Sequence, residues 1–235
     1  VAAVDIDEPG LQETVEMAGE NKDRLSTHVV NITDRAAVEA LPGKVVAVHG
    51  AVDGLINNAG IIQPFVRVND LDYDAIERVM DINFNGTLYM TKAFLPLLLE
   101  RPEAHIANVS SMGGFLPVPG QSIYGASKAA VKLFTEGLHS ELANTNVGVT
   151  IIFPGAIGTN IAENSGIDTS GMASADSEAA ASRTTPPEKA AEIMLDAIEK
   201  GSYRALVGSD AKTMDFLYRL SPKRAANFIF KQMKN

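Results

Sequence analysis

The chain of 235 residues carries 20 basic and 29 acidic side chains, giving a formal charge of −9 and a pI near 4.9. That balance argues against a nucleic-acid partner, since phosphate binding needs clustered Lys and Arg. With no cysteine, neither a disulfide framework nor a thiolate site exists, and no apolar run reaches the roughly 18 residues of a membrane span, Phe94 to Leu99 being broken by Pro96. A soluble, cytoplasmic protein with one substantial core is expected.

Val1 to Val4 reads as a strand ending at Asp5, followed by a helix over Leu11 to Gly19. A second strand is predicted over His28 to Ile32, a helix over Arg35 to Leu41, and a third strand over Asp53 to Ile56. A long helical region then spans Asp72 to Glu100, crossing Gly86 and Pro96. Further strands at His105 to Ser110, Val147 to Phe153 and Ala205 to Gly208 alternate with helices at Tyr124 to Asn144 and Pro187 to Lys200. Strands alternating with helices predict an α/β fold, a doubly wound parallel sheet covered on both faces.

Ligands of such sheets bind beyond the carboxyl ends of the strands. Asp5, Asn31, Asn57 to Gly60, Ser111 and Pro154 all end or follow predicted strands, which a random scatter of polar residues would not do. The four histidines, His28, His49, His105 and His139, lack ligand spacing such as HExxH, and no metal site is expected.

Tyr124 and Lys128 lie four residues apart in SIYGASKAA, with Ser111 at the end of the apolar run HIANVSS. Four residues is one helical turn, so both side chains share a face. An ammonium about 4 Å from a phenol, at an effective dielectric of ~20, favours the phenolate by about 4 kcal/mol, or roughly three pKa units. Such a shift would bring Tyr124 near neutral, where a general acid or base works best. Ser111 could then hold a substrate oxygen while Tyr124 exchanges the proton, the chemistry of a carbonyl reductase.

These residues keep ordered company: Asn57-Asn58-Ala59-Gly60 after GLI, Asn83 in DINFNG, then Pro154-Gly155 and Thr159 after VGVTIIF. Together they resemble the short-chain dehydrogenase/reductase family over nearly the whole chain. The resemblance implies a Rossmann-like single domain over 1–235, with three α/β/α layers, and an NAD-dependent alcohol dehydrogenase or ketone reductase. It assigns catalysis to Asn83, Ser111, Tyr124 and Lys128, with Asn83 holding through its backbone a water that links Lys128 to solvent. On the cofactor side it implies Asp5 at the adenosine ribose. There a carboxylate accepts from the 2′ and 3′ hydroxyls and repels a 2′-phosphate, so NAD is expected over NADP. Asn31 and Ile32 would meet the adenine, although the family usually has Asp where Asn31 stands. Asn58, Ala59 and Gly60 would pass the adenine ribose, Pro154, Gly155, Ile157 and Thr159 would meet the nicotinamide side, and Lys128 its ribose. The family's opening strand and TGxxxGxG turn, whose amides receive the pyrophosphate, have no counterpart in these residues. A preceding βα unit of roughly thirty residues is therefore expected.

Glu163 to Thr185 is rich in Ser, Ala and Gly, and its place after PGAIGT suits a mobile substrate lid over 163–185. Phe115, Leu116, Val118 and Ile123 suggest an apolar pocket wall, and hence a small apolar alcohol or ketone as substrate; ordinary core packing would explain them as well. At the end of the chain, Phe216, Leu217, Leu220, Phe228, Ile229 and Met233 alternate with Lys223, Arg224, Lys231 and Lys234. This pattern suits a terminal helix docked on its own subunit or a neighbour better than a membrane contact. A homodimer or homotetramer through the two long helices is expected, with Leu88, Phe94, Phe134 and Leu138 either lining that contact or facing the sheet. Two rival readings remain open: a non-catalytic NAD-binding relative acting as sensor or scaffold, and a protein that binds a membrane surface or a partner through its last helix.

Overall fold

A computed structural model describes residues 1–167 and 184–233. Among the described residues six parallel strands form two sheets. β1 (Ala2–Asp5) pairs with β2 (Ser26–Val29), while β3 (Gly54–Asn57), β4 (Ala104–Val109), β5 (Val147–Pro154) and β6 (Arg204–Val207) form a four-stranded sheet in that order. Among the described residues no strand joins β1 to β3. A shared apolar core links the two sheets: Val30 and the flanking Ala2 and Val4 pack in one cluster with Leu55, Ile106 and Val149.

The helices are α1 (Glu8–Met17), α2 (Arg35–His49), α3 (Tyr73–Met80), α4 (Thr87–Leu99), α5 (Ser122–Glu141), the single turn α6 (Ile161–Asn164), α7 (Pro187–Glu199), α8 (Ser209–Leu220) and α9 (Pro222–Gln232). Alternation along the strands assigns them to the two faces of the sheet. On β4, Ala104 and Ile106 join the cluster formed with α2, α4 and α5, whereas Ala107 and Val109 join the one formed with α7. Both faces of β4 are thus buried, as in the interior of a parallel sheet, whereas Ile56 on β3 is exposed. The three-layer α/β/α architecture is as expected.

Three local expectations change, and one open alternative closes. The second strand ends at Val29 instead of running to Ile32, because the Asn31 side chain accepts from the Thr33 N–H and hydroxyl and so turns the chain. The second helix continues through Pro42 to His49. Val38, Leu41 and Val45 form one buried stripe across the proline, and their burial outweighs the hydrogen bond that Pro42 cannot make. The long helical region is unbroken, but Asp81–Gly86 forms a π-helical segment between α3 and α4, a frequent mark of functional sites. Phe94 and Leu138 are buried in the core, with Phe134 packed against it, so these three face the sheet.

A polar clasp crosses the sheet interior. Asn57 and Asn108 are register partners on β3 and β4. The Asn57 amide donates to Asn108 Oδ1 at 2.8 Å and to Thr91 of α4 at 3.0 Å, and the Asn108 amide donates to Thr135 of α5 at 2.9 Å. Four elements are thereby joined by buried groups whose loss strands a partner. Asn108→Ala is expected to cost about 2–3 kcal/mol, one or two orphaned buried groups, read as a lowered urea midpoint at unchanged slope.

Candidate active site

The loops after β1 to β5 and the first two turns of α5 meet beyond the carboxyl ends of the strands, around a cleft of about 1460 Å³. Every residue expected at a cofactor lines it. Asp5, Asn31 and Ile32 lie on the β1–β2 side; Asn58, Ala59 and Gly60 follow β3; Tyr124 and Lys128 project from α5; Pro154, Gly155, Ile157 and Thr159 follow β5. Ser111 lines it as well. Asn83 does not: it is fully buried in the π-helical segment.

The Ser111 hydroxyl and the Tyr124 ring lie side by side over Gly113, where an added Cβ would be 3.5 Å from Ser111 Oγ and 3.3 Å from Tyr124 Cε1, and Ser111 Oγ accepts from the Gly113 N–H at 3.0 Å. One helical turn along, Lys128 is 4 % exposed, and its Nζ donates to the Val109 carbonyl at 3.0 Å. Two glycines make that burial sterically feasible. A Cβ on Gly60 would lie 2.9 Å from Lys128 Nζ, and one on Gly114 would lie 2.9 Å from the Lys128 carbonyl and 2.6 Å from Ser110 Oγ. Ser110 in turn donates to the Lys128 carbonyl at 2.7 Å.

The electrostatics differ from the expectation built on spacing. Burial lowers the Lys128 pKa to about 8, and desolvation pushes the Tyr124 phenol above its ordinary value, with the Ser111 hydrogen bond acting in the opposite direction. In this structure Lys128 does not bring Tyr124 toward neutral. A neighbouring cation attracts a phenolate, but here the cost of taking both groups out of water is larger.

Asn83 acts here through contacts with loop and helix. Its Oδ1 accepts from the Ile61 N–H at 2.8 Å, its amide donates to the Ile61 carbonyl and to Ser127 Oγ, and its own carbonyl accepts from Thr87. Ser127 hydrogen-bonds the Tyr124 carbonyl at 2.7 Å, so the loop after β3 is tied to the turn that carries the phenol. Asp5 Oδ1 accepts from the Asp7 N–H, which holds the carboxylate at the end of β1.

Several residues at the site had no signal in the sequence. Asp210 on α8 accepts from the Ala156 N–H at 2.7 Å and anchors the PGAIGT loop from 54 residues away. Ser165 accepts from the Ile62 N–H, and its carbonyl accepts from Arg78 of α3 at 3.0 Å. The remainder of the expected lid, residues 168–183, lies outside the described residues. Gln63 and Gln121 are buried beside Tyr124. Of the four expected apolar wall residues only Val118 lines the cleft. Leu116 is fully buried against Met214 and Ala225, with Ile229 of α9 packed alongside, while Phe115 packs on Phe153 and Tyr218. Ile62, Phe65, Met112 and Ile161 supply apolar wall instead. Of the apolar residues expected on the terminal docking face, Phe216, Leu217, Leu220, Phe228 and Met233 are exposed and Ile229 is packed against the core. Among the described residues no helix is long and apolar enough to cross a membrane, and no three His, Cys, Asp or Glu side chains converge as metal ligands.

A family model described as short chain dehydrogenase matches residues 1–169. The chain belongs to the short-chain dehydrogenase family. This short-chain dehydrogenase is 37 % identical over 226 residues to a Mycobacterium tuberculosis protein named as the oxidoreductase SadH, covering 94 % of this chain and 81 % of that one. Among solved structures it is similar to a short-chain dehydrogenase/reductase from Burkholderia phymatum in complex with NAD, with a TM-score of 0.77 at 26 % identity, covering 87 % of this chain and 78 % of that one. It is also similar to a serine dehydrogenase in its closed form complexed with NADP+, with a TM-score of 0.74 at 29 % identity, covering 88 % and 83 %. The family membership makes the chain an oxidoreductase.

The depressed Lys128 pKa has a consequence for stability. Between pH 8 and 10.5 the unfolded chain holds this proton more tightly than the folded one, so stability from this group rises with pH across that window and is lost as pH falls through about 8. Relative to Lys128→Met, the parent protein is expected to gain up to about 3 kcal/mol between pH 8 and 10.5, at ~1.4 kcal/mol per unit. Paired urea titrations at the two pH values check both sign and size.

Proposed function

We propose that the chain is an NAD-dependent oxidoreductase that interconverts a secondary alcohol and a ketone, with Tyr124 exchanging the proton. The observation that carries the reading is Ser111 and Tyr124 set side by side on the cleft wall, with the buried Lys128 amine one turn behind them.

The cleft has room for a dinucleotide, and it has an acidic residue on the β1 side and a side-chain-free approach at Gly60, where a Cβ would be crowded by Lys128. Those features fit a nicotinamide dinucleotide. When bound, NAD supplies the hydride acceptor, and as NADH the hydride donor. Asp5 would take the free ribose hydroxyls and disfavour a 2′-phosphate, Asn31 and Ile32 would border the adenine, Asn58 and Ala59 would border its ribose, and Pro154, Gly155, Ile157 and Thr159 would hold the carboxamide side. The Asp residue usual at position 31 is absent, but the amide there can still donate to or accept from an adenine edge.

Ser111 orients the substrate oxygen by a hydrogen bond, and Tyr124 donates its proton to that oxygen in reduction or accepts it in oxidation. A phenol held above its ordinary pKa keeps its proton at neutral pH, which suits the acid role in ketone reduction. Lys128 supports the tyrosine and the nicotinamide ribose, and Asn83 carries the relay to solvent through its backbone. The apolar wall at Ile62, Phe65, Met112 and Val118 favours a small apolar substrate over a sugar. We propose a homodimer or homotetramer as the working assembly.

Tyr124→Phe is expected to lower kcat at least ~10²-fold while leaving NADH binding within about twofold; near-normal turnover of a secondary alcohol in that variant would end the reading. Asp5→Ser is expected to shift the NAD to NADP ratio of kcat/KM at least ~10-fold toward NADP, and an unchanged ratio would remove Asp5 from cofactor choice.

A further inference from the structure

The first turn of a helix leaves its leading N–H groups without intrahelical acceptors, and a side-chain oxygen usually supplies one. The helix that carries Tyr124 and Lys128 has no such local cap: Gln121 stands at the N-cap position with no side-chain bond to the turn. The acceptor comes instead from Gln63, about sixty residues upstream. Gln63 Oε1 accepts from the Ile123 N–H at 2.7 Å and from the Tyr124 N–H at 3.1 Å. Its amide donates to the Gly120 carbonyl at 2.9 Å, and its backbone carbonyl accepts from the Gln121 amide at 2.7 Å.

These bonds settle which way both amides point. Reversing Gln63 would turn its NH2 on two N–H donors, and reversing Gln121 would set oxygen against the Gln63 carbonyl. Gln63 is 1 % exposed and does not line the cleft, whereas Gln121 and Tyr124 do. It therefore sits behind the reacting groups and out of reach of a substrate in the cleft.

The loop that carries Gln63 is itself held in place. Asn83 takes both backbone groups of Ile61, and Ser165 takes the Ile62 N–H. The position of the first turn of α5 is thus referred, through Gln63 and beside the Asn83–Ser127 contact, to the end of β3 and to the π-helical segment. From this geometry we infer that Gln63 is a positioning residue for the Tyr124 phenol: it caps α5 from a distant loop and sets where the proton-exchanging oxygen stands relative to Ser111. This rests on the reading of Tyr124 given above. A displacement near 1 Å at a reacting group costs up to ~10²-fold in rate, and an uncapped first turn is free to move by that much.

The test compares the parent, Gln63→Met, Gln63→Glu and Tyr124→Phe. Met fills the space with no acceptor, whereas Glu, kept protonated by burial, retains an oxygen for both amides and an O–H for the Gly120 carbonyl. Amide hydrogen exchange at Ile123 and Tyr124 is read by NMR, and kcat and the NADH KM are measured with a secondary alcohol and its ketone. Gln63→Met is expected to speed exchange at both amides at least ~10-fold and to lower kcat ~10- to 100-fold, with the NADH KM changed less than about twofold. Gln63→Glu is expected to recover kcat to within about fivefold of the parent. Unchanged kcat in Gln63→Met, or Gln63→Glu as slow as Gln63→Met, would overturn the role while turnover lost in Tyr124→Phe left the catalytic reading intact. Turnover surviving in Tyr124→Phe would instead remove the catalytic reading, and this role with it. Far-UV circular dichroism of each variant separates these outcomes from a failure to fold.

Discussion

Lys128 places an amine in the interior of the protein with a single oxygen, the Val109 carbonyl, to receive it. Burying such a group is costly unless its surroundings are arranged for it, and much of the site can be understood as that arrangement. Gly60 and Gly114 leave no side chain where the lysine and its backbone must pass, Ser110 satisfies its carbonyl, and β4 brings Val109 to within 3.0 Å of it. The lowered Lys128 pKa and the raised Tyr124 pKa share the same physical origin, the scarcity of water at this edge of the sheet.

The second organising feature is amide chemistry. Asn57 and Asn108 clasp β3 to β4 and, through Thr91 and Thr135, to α4 and α5. Asn83 and Gln63 continue the pattern beyond the strand ends, joining the loop after β3 to α5. Neutral amides can satisfy buried donors and acceptors at once without a net charge to desolvate. This gives the three catalytic candidates a rigid mounting built from segments far apart in sequence, as a preorganised site requires.

Some features were legible residue by residue and others were not. The order of strands and helices could be read because hydrophobic runs and turn residues alternate locally. The cofactor side could be read because its motifs resemble the family's and because Asp5, Asn31, Asn58 and Pro154 end or follow strands, whose ends share one edge of a parallel sheet. The errors came where tertiary contacts overrode local signals. The stripe Val38, Leu41, Val45 carried α2 through Pro42, and the Asn31 side chain ended β2 early. Phe115 and Leu116 looked like pocket wall but are core, because α8 and α9 pack against them. Gln63, Asp210 and Ser165 carried no motif, since their roles consist entirely of contacts with segments 54 to 103 residues away.

By itself the sequence determined the fold class, the edge of the sheet on which the cleft opens, and Ser111, Tyr124 and Lys128 as residues that line it. The first two follow from local periodicity, the third from an ordered set of motifs that resembles the family's. Only the tertiary structure decided the charge state these groups prefer, the apolar wall that a substrate meets, and the distant amides that hold α5. Desolvation and hydrogen-bond partnership depend on which segments fold over a residue, and that information is not contained in any local window of the chain.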